Sequence, residues 1–269
     1  MIDQFSIAML DRGHSPNTVR RRRLTLSRFA RHLGGVDDLL TATDFEIDRW
    51  LSSLTKASPQ SRGHYLGDLA RFYGWAKRWR LITTNPTLEM ERPSRPKRKP
   101  RPISTSDLAM AIEMADPRMR VILLLAAFSG LRVCEIAALD ARDVDWDHNV
   151  IVVAGKGDKE RTVPIHPLVA AELASRREGP IVPSTRGGHL RPITITILVS
   201  VHMRGLGIPA TAHRLRHWFG TGTYEACRDL RVVQELLGHE SPQTTAGYVA
   251  ASEPRSRAAV AALSLDVAA

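Results

Sequence analysis

Residues 144–165 read VDWDHNVIVVAGKGDKERTVPI, and they contain the strand pattern of this chain. Three short runs rich in valine, isoleucine and threonine, Val144–Trp146, Val150–Ala154 and Arg161–Ile165, are separated by a His-Asn pair and by a Gly-Lys-Gly-Asp turn. Short connections of this composition join antiparallel neighbours. The stretch therefore predicts one small three-stranded antiparallel sheet.

Helical patterns lie on both sides of this predicted sheet. Ser106-Asp107 is the predicted N-cap of the first helix here, and Ser129-Gly130 is predicted to interrupt a buried helical run. The predicted helices cover Leu108–Met114, Arg118–Phe128, Arg132–Leu139, Pro167–Arg177, Ile193–Met203, Ala212–Tyr224, Leu230–Leu237 and Pro242–Ala250. The predicted fold class is mainly α (α+β), with the sheet as a small part of a mostly helical domain.

Residues 1–91 are predicted to form a separate compact helical bundle. Three helices begin there with a cap residue, and apolar residues then recur at helical spacing on one face of each. The predicted starts are Ser15-Pro16, Thr43-Asp44 and Ser58-Pro59. The bundle is followed by RPSRPKRKPRP at residues 92–102. Its prolines favour an extended chain of about 34 Å, so a linker is predicted between the bundle and a second domain at residues 103–269.

The charge of the chain is concentrated in its first part. The net charge is +10, all of it within residues 1–102, whereas residues 103–269 are neutral overall. A basic bundle and a basic linker predict a clamp around a rod-shaped polyanion. The run Arg20–Arg23 opposes the helix dipole, which favours phosphate contact, although a solvated helix face is the alternative. The candidate contacts are Arg20, Arg21, Arg22, Arg23, Arg71, Lys77, Arg78, Lys97, Arg98, Lys99 and Arg101.

The cysteine count and the apolar runs argue against a secreted or membrane protein. Cys134 and Cys227 are the only cysteines, so no disulfide framework and no Cys/His zinc site is predicted. The longest apolar run, Val121–Phe128, is too short to cross a bilayer, and no signal peptide is recognised. We therefore expect a cytoplasmic protein without a membrane partner.

A first candidate for chemistry follows the Ser-Gly break in the buried run. Arg132 is predicted to leave the break at the start of a helix, where its guanidinium could bind phosphate oxygens in a bidentate manner. Glu135 lies three residues further on the same face and could orient the arginine. A structural ion pair is the alternative interpretation of these two residues.

Further candidates lie in the hairpin turn and in the motif HRLRH. Lys156 is predicted to lie at the tip of the Gly-Lys-Gly turn, where it could donate a proton to a leaving oxygen. An ordinary exposed lysine is the alternative interpretation. His213 and Arg216 share one helical face at i, i+3. His217 is interpreted as a packing residue, and a role in the site stays open.

The last candidates follow the predicted helix Leu230–Leu237. Gly238 suits the left-handed position that closes a helix, so His239 would be presented from a fixed turn. Tyr248 lies on the next predicted helix. An isolated tyrosine on a helix is usually a core or surface residue, and only the other candidates give this phenol another interpretation.

Four segments, in order, resemble the tyrosine recombinase family, which includes phage integrases and Xer-type recombinases. They are SGLRVCEIAAL, GKGDKERTVPI, HRLRH and LLGHESPQTTAGY. The resemblance implies that Arg132, Lys156, His213, Arg216 and His239 activate a phosphodiester, that Tyr248 is the nucleophile, and that Glu135 supports the first arginine. Val249-Ala250 departs from the family pattern without removing a reacting group.

The resemblance also implies the reaction and the assembly. A 3′-phosphotyrosine intermediate would conserve the bond energy, so neither a cofactor nor a metal is expected. The implied partners are double-stranded DNA at specific core sites and a homotetramer on paired sites. A C-terminal helix at about residues 256–267 would dock on a neighbour, and packing on its own domain is the alternative. An accessory factor that sets direction stays open. The sequence begins with the core-type bundle, so no arm-binding domain is expected.

Three alternatives to an integrase-like recombinase are distinguishable. An Xer-like resolvase would use the same chemistry on a different arrangement of sites. A type IB topoisomerase-like enzyme would relax DNA without exchanging partners. A non-catalytic DNA-binding regulator would have the fold without the chemistry, but binding alone needs no phenol at position 248.

Overall fold

The computed structural model describes residues 1–91, 101–155 and 160–238. The chain divides into two compact units, Met1–Lys97 and Arg98–Ala269. This division falls inside the stretch predicted as a linker, while the bounds of the linker itself stay a prediction. In the described part of the chain, no helix has both the length and the apolar character that a bilayer crossing requires.

The first unit is a bundle of four α-helices with one short 3-10 segment among its described residues. Ser15, Thr43 and Ser58 cap the helices that were predicted to begin there, and each side chain accepts a backbone N–H three residues later. The first of the four helices was not predicted. The elements are α1 (Ile2–Leu10), α2 (Pro16–Leu33), the 3-10 segment Asp37–Leu40, α3 (Asp44–Ser53) and α4 (Pro59–Arg78).

Aromatic rings fill the core of this bundle. Phe5 of α1 contacts Phe72 and Trp75 of α4, with ring centroids 5.5 and 5.4 Å apart. Phe29 of α2 lies 5.0 Å from Trp50 of α3. Trp50 in turn lies 5.8 Å from Tyr65 of α4, so ring contacts connect all four helices. Rings of this size contribute much of the apolar area that a small bundle buries.

The second unit is mostly helical around one small sheet. Its described elements are α5 (Thr105–Glu113), α6 (Pro117–Phe128), α7 (Val133–Ala138), the 3-10 segment Ala141–Asp143, β1 (Val144–Asp145), β2 (Val150–Ala154), β3 (Glu160–Pro164), α8 (Pro167–Leu173), α9 (Pro192–Gly205), α10 (Ala212–Cys227) and α11 (Leu230–Leu237). The strands are antiparallel in the order β1-β2-β3, and Ile151 of β2 pairs with Val144 and with Val163. The predicted fold class is therefore confirmed.

Two boundary predictions in this unit were wrong. Ser104, not Ser106-Asp107, caps α5, because its hydroxyl accepts the backbone N–H of Asp107 and the helix begins one turn earlier than predicted. Helix α8 ends at Leu173 and does not reach Arg177. The predicted helix Pro242–Ala250 lies outside the described residues.

Helix α6 is the centre of this unit. Its residues Val121–Ala127 are buried on every face. A helix that is apolar all round must be surrounded by other elements, and α5, α8 and α10 pack against it. The chain leaves this buried helix at Ser129 and enters α7 at Val133. The turn between the two helices contacts α10, since the carbonyl oxygen of Gly130 accepts a hydrogen bond from Arg216.

Candidate active site

A buried carboxylate lies at the centre of the candidate site. Glu135 is in the first turn of α7, and its side chain is 6% exposed. It accepts two hydrogen bonds from Arg132, from the backbone N–H at 2.7 Å and from Nη1 at 2.8 Å. Arg161 of β3 donates from both Nη atoms, at 2.9 and 2.8 Å. Nη1 of Arg216 in α10 lies 3.8 Å from Oε2. We call these four residues the Glu135 cluster.

Glu135 is ionised at neutral pH. Burial by itself raises the pKa of a carboxylate, but hydrogen bonds from Arg161 and Arg132 and the charge of Arg161 outweigh it and lower the pKa of Glu135 to about 2. The cluster therefore combines one negative charge with three guanidinium groups. Its excess of two positive charges suits a phosphate group, whose charge grows during nucleophilic attack.

The turn before Arg132 is anchored to α10. Gly130 has a φ of +62°, and a Cβ atom there would lie 2.4 Å from the ring of Phe219. Only glycine avoids both the strained backbone and the clash. The carbonyl oxygen of Gly130 accepts a hydrogen bond of 2.5 Å from Nη1 of Arg216. The glycine therefore lets α10 approach closely and brings the two arginines of the predicted site together.

The three arginines also bind three consecutive carbonyl oxygens at the end of α11. The last carbonyls of a helix have no partner within the helix, and they carry its negative dipole end. Gly238, which follows α11, has the left-handed conformation that was predicted for it. The bonds are Arg161 Nε to Leu236 O at 2.9 Å, Arg216 Nη2 to Leu237 O at 2.5 Å and Arg132 Nη2 to Gly238 O at 2.9 Å.

Two histidines on α10 lie beside this cluster. The ring centroids of His213 and His217 are 4.3 Å apart. Partial burial, with the charges of Arg216 and Arg132, lowers the pKa of His213. Burial, then the charges of His213 and Arg216, lowers the pKa of His217 to about 4. Both imidazoles are therefore neutral at neutral pH, and the neutral form is the one that can accept a proton.

Comparison with known proteins decides the family. The phage integrase family model matches residues 104–255, which is more than half of the chain. The chain belongs to the phage integrase family of tyrosine recombinases. Tyrosine recombinase XerD of Pseudomonas putida is 31% identical over 95% of this chain and 94% of its own length. Tyrosine recombinase XerC of Myxococcus xanthus is 30% identical over 92% of both chains.

Solved integrase structures share the fold. A lambda integrase dimer bound to a COC′ core site has a TM-score of 0.75 at 22% identity, over 91% of this chain and 93% of that one. A lambda integrase tetramer bound to a Holliday junction has a TM-score of 0.73 at 20% identity, over 90% of this chain and 76% of that chain. The resemblance that four sequence segments indicated is thus confirmed, and the protein is a tyrosine site-specific recombinase.

Four of the predicted site residues of this recombinase are brought together. Arg132, Glu135, His213 and Arg216 meet at the junction of α7, α10 and the end of α11. Lys156, His239 and Tyr248 lie outside the described residues, and their roles stay predictions. Arg214 of the HRLRH motif does not join the cluster, because its guanidinium binds the backbone carbonyls of Arg101, Pro102 and Pro209.

Sequence reasoning missed one residue of the cluster, Arg161. It was interpreted only as the first residue of a predicted strand, where an arginine is unremarkable. Its partner Glu135 is 26 residues earlier, and its other partner, Leu236, is 75 residues later. The signal was its place in the segment GKGDKERTVPI, one of the four that carry the family resemblance.

The predicted DNA contacts of the first unit differ in their surroundings. Arg20, Arg71, Lys77 and Arg78 are exposed. The neighbours of Arg20 have protein partners, since Arg21 and Arg22 bind Asp68 and Arg23 pairs with Asp3 at 2.8 Å. Arg101 is also exposed, and Lys97, Arg98 and Lys99 lie outside the described residues.

Proposed function

We propose that this recombinase breaks and rejoins DNA at specific core sites through a 3′-phosphotyrosine on Tyr248. The observation that carries the proposal is the Glu135 cluster with the neutral His213 beside it. Its arginines are held in place before any substrate binds, so stabilising charge on a phosphate would require little reorganisation. Arg132 is 39% exposed, and its guanidinium is therefore accessible to a DNA phosphate.

The two predicted arginines would have complementary roles. Arg132 is the accessible one, and it would bind a non-bridging oxygen of the scissile phosphate directly. Arg216 is only 4% exposed and donates to two backbone carbonyls. It would therefore act on the phosphate through its positive charge, without a direct hydrogen bond. Both would stabilise the negative charge that builds on the phosphate as the tyrosine oxygen attacks.

Proton transfers complete the proposed step. His213 would accept the proton of the Tyr248 hydroxyl as its oxygen bonds to phosphorus. The bond from phosphorus to the 5′ oxygen breaks, and Lys156 would donate the proton that this oxygen needs. His239 would donate a hydrogen bond to a phosphate oxygen. Attack by a 5′ hydroxyl of a partner strand reverses the step, which is why no cofactor and no metal is invoked.

The proposed assembly is a homotetramer on paired core sites in the cytoplasm. It is supported by the fold shared with lambda integrase, which has been solved as a tetramer on a Holliday junction. The C-terminal segment 256–267 would dock on a neighbouring protomer, and an accessory factor could set direction. An Xer-like resolvase is the second candidate, because XerC and XerD match this chain over nearly its whole length.

A covalent adduct tests the chemistry. We expect the wild-type protein to form a protein–DNA band that survives denaturing electrophoresis, and sequencing of the attached DNA would locate the core site. Tyr248→Phe should bind that site with unchanged affinity and form no adduct, because the phenylalanine ring has no oxygen to attack phosphorus. An adduct from this variant would contradict the assignment of the nucleophile.

Three DNA substrates separate the candidate functions. Recombination between two core sites in direct repeat on one circular DNA reports resolution, and recombination between core sites on two separate DNA molecules reports integration. A supercoiled plasmid without a core site should not be relaxed, and relaxation there would favour a topoisomerase-like enzyme. Binding by the wild-type protein without any adduct would favour a non-catalytic regulator.

A further inference from the structure

Arg161 differs from the other two arginines in how it is placed. It is the second residue of β3, and its side chain is 12% exposed. Both of its Nη atoms bind the carboxylate of Glu135, one to each oxygen. With both groups directed at the carboxylate, Arg161 is poorly placed to bind a DNA phosphate, whereas Arg132 is partly exposed.

The remaining nitrogen of Arg161 binds the end of α11. Its Nε donates to the carbonyl oxygen of Leu236 at 2.9 Å. The side chain lies so close to Gly238 that a Cβ atom there would be 3.0 Å from Nη1 and 3.1 Å from Cδ of Arg161. One guanidinium therefore connects β3 with α7 and α11, at the point where the chain leaves α11 toward position 239.

Removal of Arg161 would alter the balance of charge in the cluster. Hydrogen bonding to Arg161 is the largest of the contributions that lower the pKa of Glu135. Among the described residues, Arg132 and Arg216 would then be left to neutralise the buried carboxylate, and they would be drawn toward Glu135 and away from a phosphate. The carbonyl of Leu236 would lose its donor at the same time.

We propose that Arg161 is a positioning residue of the recombinase. It neutralises Glu135 so that Arg132 is available to the scissile phosphate and the charge of Arg216 is not spent on Glu135, and it fixes the end of α11 from which the chain continues to His239 and Tyr248. The inference rests on the proposed function, since it assigns Arg161 a part in the same DNA cleavage. Arg161 acts through Glu135 and Leu236, without touching the substrate.

Two substitutions and one matched control test this role. Arg161→Met removes the charge and all three hydrogen bonds, whereas Arg161→Lys keeps the charge but loses the planar fork. Arg120→Met is the control, because Arg120 also binds both a glutamate and a backbone carbonyl. Its Nε donates to Oε1 of Glu172 at 2.5 Å, and its Nη1 donates to the carbonyl oxygen of Ile112. For each variant, the Kd for the mapped core site and the single-turnover rate of cleavage are measured. The cleavage substrate is a duplex with a nick close to the cleavage position, so the short strand released by cleavage diffuses away and cannot be rejoined.

The expected result is a loss of cleavage with retained binding. Arg161→Met should cleave about 10–100-fold more slowly, the range found when residues that orient the ligands of metal sites are replaced, with a Kd close to that of the wild type. Arg161→Lys should be intermediate, and Arg120→Met should cleave at the wild-type rate. Arg161→Lys is also the test if Arg161→Met fails to fold, and wild-type cleavage by Arg161→Lys would overturn the proposal.

A substrate with sulfur in place of the bridging 5′ oxygen excludes another explanation. Lys156 precedes β3 in the sequence by only four residues, so the loss of Arg161 could act by displacing the proposed proton donor. A thiolate is a far weaker base than an alkoxide and leaves without a proton. The sulfur substrate should not restore the rate of Arg161→Met, and restoration would overturn the proposal in favour of an effect on Lys156.

The outcomes also separate this inference from the proposed function. A wild-type protein that forms no adduct on any DNA would contradict the function itself. A wild-type protein that forms the adduct, with Arg161→Met as fast as Arg120→Met, would contradict only the role of Arg161.

Discussion

Each unit of this recombinase contains a buried carboxylate bound by arginines, and the two arrangements differ. Asp68 of α4 is 4% exposed, and it binds Arg21 at 2.8 Å, Arg22 at 3.5 Å and the hydroxyl of Thr25 at 3.0 Å. These three partners all belong to α2. The Asp68 network therefore joins two helices of one bundle.

The partners of Glu135 instead come from separate parts of the chain. Arg132, Arg161 and Arg216 belong to the start of α7, to β3 and to α10, and all three also bind carbonyls at the end of α11. Neutral histidines lie beside them. The two networks differ in how many elements they join: two helices for Asp68, and α7, β3, α10 and the end of α11 for Glu135. We therefore expect the Glu135 cluster to take part in the reaction and the Asp68 network to stabilise the bundle.

Arg132→Ala should have the largest effect. Loss of one preorganised donor to a developing oxyanion costs about 10²–10³-fold in rate, so cleavage should fall by that factor while core-site affinity changes little. Single-turnover cleavage and gel-shift titration measure the two quantities. Arg142→Ala, which removes an 81% exposed arginine of the same unit, is the control. Equal losses of cleavage and binding in Arg132→Ala would make Arg132 a simple anchor.

Asp68→Asn should have a smaller effect and of another kind. It removes the charge that Arg21 and Arg22 bind, and we expect a loss of about 1–2 kcal/mol in the free energy of unfolding, at the low end because Arg21 is half exposed. Denaturant unfolding measures it. Asp3→Asn, in the exposed pair with Arg23, should change stability by less than about 0.5 kcal/mol.

The cleavage step distinguishes the two carboxylates further. Folded Asp68→Asn protein, bound to saturation on the core site, should form the covalent adduct at the wild-type rate. A large fall in that rate would mean that the Asp68 network takes part in the reaction, and the distinction drawn between the two networks would be wrong.

His217→Gln should produce the smallest effect, a change in the pH dependence of stability. The pKa of His217 is lowered to about 4 in the folded protein, so the unfolded chain binds the proton more readily. The neutral His217 therefore contributes to the free energy of unfolding above the usual histidine pKa of about 6.5, and this contribution is lost as the pH falls toward 4. Unfolding free energies measured between pH 7 and pH 4.5 should therefore decline less steeply in the variant. An equal decline would contradict a neutral His217 in the folded protein.

Local patterns predicted much of this fold because they depend on neighbouring residues. The caps at Ser15, Thr43 and Ser58 and the left-handed Gly238 follow from short-range hydrogen bonding and backbone sterics. The cap of α5 was wrong, since Ser104 and Ser106 are equally good cap residues by composition. Sequence spacing does not show which of two such hydroxyls reaches a free N–H.

The candidate site was predicted in part for a different reason. Arg132, Glu135, His213 and Arg216 were recognised because their segments resemble a family, and not because spacing alone brings residues 132 and 216 together. Arg161 was missed because its two partners are distant in sequence. The close approach of Gly130 to Phe219 was also unpredictable, since it depends on how α10 packs against α6.

The sequence by itself determined most of the helices, the small sheet and the basic first part, because periodicity, caps, turns and charge are local properties. The candidate reacting groups were instead recognised through the resemblance of their segments to a family. Only the tertiary structure decided that three arginines share one buried carboxylate and bind three consecutive carbonyls of α11. Two of those carbonyl contacts join residues 75 and 106 positions apart, and the third joins residues 21 positions apart. They form only once packing has brought the elements together, since no local interaction selects such partners.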